Sequence, residues 1–188
     1  MDRAADEQRA RSHVAAETAG WWRDLHLLLI PLFPLLGVNV WWLLAGLAGP
    51  LPWLGRVAGF VYIGFYGALD VLAGVGAGVV RDRATREGHP ELVAVEPWLF
   101  AAGNALAEVG VWAFLLGCLV ASGLLVARTG RRALPGAVLL CGAAVVFLRS
   151  HIYFPVGVAT MLAMAAGFGL LQWARLHPPA AAVPAPPA

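Results

Sequence analysis

The sequence predicts an all-α integral membrane bundle of about five transmembrane helices, followed by a Pro/Ala-rich disordered C-terminal tail. Three observations predict it. Of 188 residues, 60% are hydrophobic and 13% are charged, with a mean hydropathy of +0.74. A soluble domain is about 45–50% apolar and about a quarter charged. The charges bracket long apolar runs, and tryptophans gather at the ends of those runs, as in the aromatic belts of membrane helices. A simple soluble globule and a wholly disordered chain are both excluded. The net charge of +2, carried by arginine with no lysine, is too small to imply a nucleic-acid partner.

Each element follows from the bilayer's thickness, because about 20 apolar residues cross a hydrocarbon core of about 30 Å. Residues 1–24 mix Arg with Asp and Glu and read as a cytoplasmic N-terminal segment. The transmembrane domain is 25–175. Span one is 25–49, where Pro31 and Pro34 should kink the helix. Its apolar stretch is too long for a signal peptide. Trp21-Trp22 and Trp41-Trp42 are about 20 positions apart, or about 30 Å of helix. Span two is 57–80, between Arg56 and Arg81. Span three is 98–127, between Glu96 and Arg128. Span four is 133–148, and span five is 152–174, ending at Arg175. A single helix over 133–174 would be about twice the bilayer thickness, so a bend is expected near 149–155. A re-entrant element there would leave four spans. Residues 176–188 form the low-complexity tail.

Orientation follows the arginines. Eight fall in 1–24, 81–96 and 149–155; five fall on the other side. The positive-inside rule then puts the N-terminus in the cytoplasm of a cell-membrane protein.

Small residues should set the packing, since lipid is as apolar as Leu. Span two holds the GxxxG pattern Gly74–Gly78, and span three holds Gly103, Ala107 and Gly110. Tight internal packing is expected over self-association. Cys118 and Cys141 fall at similar depth on spans three and four, and read as core thiols rather than a redox pair.

Ionisable residues within the bilayer are costly and mark function. Two stand out. Asp70 lies 11 residues before Arg81, and Glu108 lies 10 after Trp98. Both depths come to about 15 Å or slightly more, near the midplane. Tyr62, Tyr66 and Asp70 form an i, i+4, i+8 row; Asn104, Glu108 and Trp112 form another, and residues four apart share a helix face. The two rows are expected to face each other as a proton or cation site: Asp70 carries the proton, Glu108 is its partner, and Asn104, Tyr66 and Tyr62 support them. A structural hydrogen-bond network is the plainer alternative.

A second group, Arg149, His151 and Tyr153, suits recognition of a lipid head group, against ordinary interfacial placement. His26 and His151 are the minimum for a haem or metal site, but no ligand-spaced motif supports one. No metal and no cofactor are therefore expected. Nucleotide-binding and hydrolase motifs are absent. Partners are the lipid bilayer and a membrane-protein partner or second copy. Three functions compete: a small transport or permeation protein using the carboxylate site; an intramembrane enzyme acting on a lipid or isoprenoid; and a non-catalytic accessory subunit.

Overall fold

The computed structural model of the protein describes residues 3–150 and 154–177, with side chains from Thr18 onward. Of the expected disordered tail, 176–188, the part from residue 178 lies outside the described residues, as do His151 and Tyr153, while Leu176 still belongs to the last helix. Those described are predominantly helical, with no strand among them. Four stretches are long and apolar enough to cross a membrane: Thr18–Leu43, Pro50–Arg86, Pro90–Ser150 and Val156–Leu176.

The helices are α1 (Arg3–Leu32), α2 (Pro34–Leu43), α3 (Pro50–Leu69), α4 (Ala77–Arg86), α5 (Glu96–Thr129), α6 (Leu134–Ser150) and α7 (Val156–Leu176). Proline explains the first break. Pro31 and Pro34 each lack an N–H and crowd the preceding turn. The chain answers with a turn at Phe33, whose own N–H still reaches the Leu29 carbonyl at 2.9 Å. Gly46 and Gly49, at φ 74° and 111°, shape the loop after α2. This conformation is disfavoured for residues bearing a Cβ. Helical structure therefore stops at Leu43, six residues short of the expected end of span one.

Between α3 and α4 the helix widens into a π-turn, Asp70–Gly76. Such turns are rare and concentrate at functional sites. Ala77 N–H is shared between the Gly74 and Leu72 carbonyls, three and five residues back, and skips the one four back. That releases the Ala73 carbonyl, which accepts the Trp22 indole N–H at 3.2 Å.

The chain divides into two compact units. The first takes in the chain up to Val38 together with Ala58–Phe114. Here glycines let the helices touch. A methyl at Gly74 would fall 2.2 Å from the His26 ring, and one at Gly78 would fall 3.1 Å from Arg23 Cα. Both glycines of the GxxxG pattern are thus used internally, against α1. Gly103 and Gly110 of α5 lie on Ala73 and on the Tyr66 backbone in the same way.

The second unit is Asn39–Val57 with the chain from Leu115 onward. Gly130, at φ 63°, opens a short 3-10 turn, Gly130–Ala133, between α5 and α6. Beyond it the chain has reversed, since Cys141 Sγ lies 3.8 Å from the Cys118 carbonyl and 3.4 Å from Ser122 Oγ. Both thiols are free, and Cys118 is buried. The helices α6 and α7 pack through Gly136 and Gly167; a methyl at Gly167 would sit 2.8 Å from the Leu140 backbone nitrogen. The end of α2 is held by two arginines. Arg56 donates to the Leu44 and Leu47 carbonyls at 2.6 and 2.8 Å. Arg175 donates to the Trp42 and Ala45 carbonyls. Cations at a helix C-terminus satisfy its free carbonyls and oppose its dipole.

Candidate functional site

The first unit encloses an acid. Asp70 opens the π-turn and is 3% exposed. Its row behaves as the spacing predicts: Tyr62 and Tyr66 are also buried. The two tyrosine rings stack at 5.3 Å, with Phe33 against Tyr66 at 5.0 Å and Phe114 against Tyr62 at 4.8 Å.

The acid's facing group is His26. Its Nε2 lies 4.0 Å from Asp70 Oδ1, within ion-pair range but longer than a hydrogen bond. Asp70 Oδ2 is buried and makes no hydrogen bond among the described residues. The imidazole is fixed from three directions. Its Nδ1 contacts the Trp22 carbonyl at 2.8 Å, its ring packs on the Trp22 ring at 4.4 Å, and Gly74 leaves it room. A carbonyl can only accept, so the hydrogen bond assigns the proton to Nδ1. The other ring nitrogen, Nε2, faces Asp70 Oδ1.

Beside the pair lies a cavity of about 230 Å³ lined by Thr18, Ala19, Trp22, Ala77, Gly78, Arg81, Glu96 and Phe100. Trp22 both lines this space and packs on the His26 ring. Arg81 Nε and Nη2 grip both Glu96 oxygens at 2.8 and 2.5 Å. Glu96 is buried while Arg81 is half-exposed. Such a bidentate pair is the strong form of the interaction. Further ion pairs link Arg23 to Asp82 at 3.8 Å and Arg86 to Asp82 at 2.6 Å.

The expected meeting of Asp70 with Glu108 does not occur. Asn104, Glu108 and Trp112 are all exposed. The inward face of α5 in this unit is Gly103, Ala107, Gly110 and Phe114. Close packing of Gly103 and Gly110 turns the polar row outward, because consecutive residues are about 100° apart around a helix. His26, absent from the expected carboxylate site, takes the place given to Glu108. Nothing local signals it, since it comes from a helix 44 positions away in sequence.

Of the expected head-group residues, Arg149 is exposed in the last turn of α6. It lines an open groove with Val145, Val146, Leu148, Ser150, Phe154 and Val156. No group of three or more metal-ligating side chains occurs among the described residues. Compared with protein-family models, curated proteins and solved structures, the chain matches none.

Proposed function

We propose that this is a small membrane transport or permeation protein in which the His26–Asp70 pair holds and passes a proton. The observation that carries this reading is the buried Asp70 carboxyl, with one oxygen facing His26 Nε2 and the other making no hydrogen bond among the described residues. A structural carboxyl would normally have its hydrogen-bonding capacity filled. Here one proton has two adjacent resting places, the Asp70 carboxyl and His26 Nε2. The Trp22 wall and the cavity beyond it offer a direction in which the pair could be reached.

The reading includes five crossings. The Pro90–Ser150 stretch holds 61 residues, about 90 Å of helix at 1.5 Å per residue, roughly three bilayer thicknesses. The break at Gly130 and the reversal seen at Cys141 support α5 and α6 as separate spans. With the arginine count, the N-terminus then faces the cytoplasm.

The test is proton flux into liposomes containing only this protein, followed with an enclosed pH-sensitive dye under an imposed gradient. Wild type should conduct or couple protons, and Asp70→Asn and His26→Phe should each lower the rate at least tenfold. Equal rates in all three, or no flux above empty liposomes, would sink the reading.

A further inference from the structure

Charge is divided between the two units. All 11 acidic residues of the chain fall in the segments of the first unit. The second unit's segments hold six arginines and no Asp or Glu. Arg149 is at the far end of α6. The other five are Arg56, Arg128, Arg131, Arg132 and Arg175. The described contacts gather them at one end of this unit. Arg56 and Arg175 both bind the carbonyls that close α2. Arg132 donates to the His177 carbonyl at 2.9 Å, just after Arg175 in the chain. Arg128 and Arg131 flank the same α5–α6 turn.

The helix end accounts for Arg56 and Arg175. It does not account for Arg128, Arg131 and Arg132, which are all exposed. In the first unit, by contrast, Arg23, Arg81, Arg83 and Arg86 each have a carboxylate partner. Around the arginine end stand exposed Trp41, Trp42, Trp53 and Trp173. That combination of indoles and cations belongs to the head-group layer of a bilayer. The guanidinium fork matches phosphate oxygens two at a time.

We infer that Arg128, Arg131 and Arg132 form a binding site for the phosphate of anionic lipid head groups, on a collar completed by Arg56 and Arg175. With no Asp or Glu side chain in this unit's segments, these cations are left to the lipid. The site is independent of the His26–Asp70 reading and of which leaflet it faces.

The test uses the full chain in bilayer discs of phosphatidylcholine alone or of phosphatidylcholine with phosphatidylglycerol. Thermal unfolding and retained lipid are measured. The anionic lipid should raise the melting temperature and be retained preferentially, and high salt should remove both effects. The variant with Arg128→Gln, Arg131→Gln and Arg132→Gln should lose both. Arg83→Gln, at an exposed ion pair of the first unit, should keep them. Inorganic phosphate added to phosphatidylcholine discs should not reproduce the shift; if it does, the site takes free anions and the lipid assignment fails. Equal retention by wild type and the triple variant overturns the proposal. Should the triple variant not fold, Arg131→Gln and the wild-type salt response decide in the same sense.

Discussion

At the scale of single residues, what matters is which polar atoms end up inside. Asp70, Tyr62 and Tyr66 were legible because three polar or aromatic side chains at four-residue spacing interrupt an apolar helix, and that periodicity survives folding. Glu108 and Asn104 were legible as unusual but not as placed. Their row and the small-residue row beside it both have helical period, and close glycine packing decides which faces inward. His26 could not be found this way, because the contact joins separate helices and leaves no local pattern. A carboxyl kept for proton exchange is held at a cost to stability. We therefore expect Asp70→Asn to melt, in detergent, at or above the wild-type temperature. A structural carboxyl completing a network would instead lose about 1–3 kcal/mol on this change. A clear fall in melting temperature would reassign Asp70 to the scaffold.

At the scale of elements, the sequence indicated helix positions better than helix ends. The run expected at 98–127 falls within α5, Glu96–Thr129, and the run expected at 133–148 falls in α6, Leu134–Ser150. Apolar composition sets those runs, and Gly130 punctuates them. Span two merges three elements, and its π-turn was not legible, because one extra residue per turn changes neither hydropathy nor spacing enough to read. Its placement is explained afterwards by the Trp22 indole, which takes the carbonyl released by the widened turn. The crossing number belongs to this scale as well. With the native cysteines removed, single variants Thr85→Cys, Arg131→Cys and Ser150→Cys can be labelled with a membrane-impermeant thiol reagent. Five crossings predict residues 85 and 150 on one side and 131 on the other. Positions 85 and 150 on opposite sides would show that Pro90–Ser150 crosses once.

At the scale of the whole molecule, two chemical themes are segregated by sequence. The acids belong to one unit, as do the ion pairs among the described residues and the buried His26–Asp70 couple; the arginines with no carboxylate partner among the described residues belong to the other. Composition alone predicts helices apolar enough for a membrane, since 60% of the residues are hydrophobic against about 45–50% in a soluble domain. What composition does not carry is the pairing of one buried acid with one histidine, on which the proposed proton function rests. That pairing is tested most directly by infrared difference spectroscopy of the protein in lipid as pH is changed. The account predicts a carbonyl-stretch signal from a titrating carboxyl that disappears in Asp70→Asn and shifts its titration in His26→Phe. A carboxyl signal unchanged by both substitutions, or a wild-type spectrum with no buried carboxyl titrating at all, would contradict it.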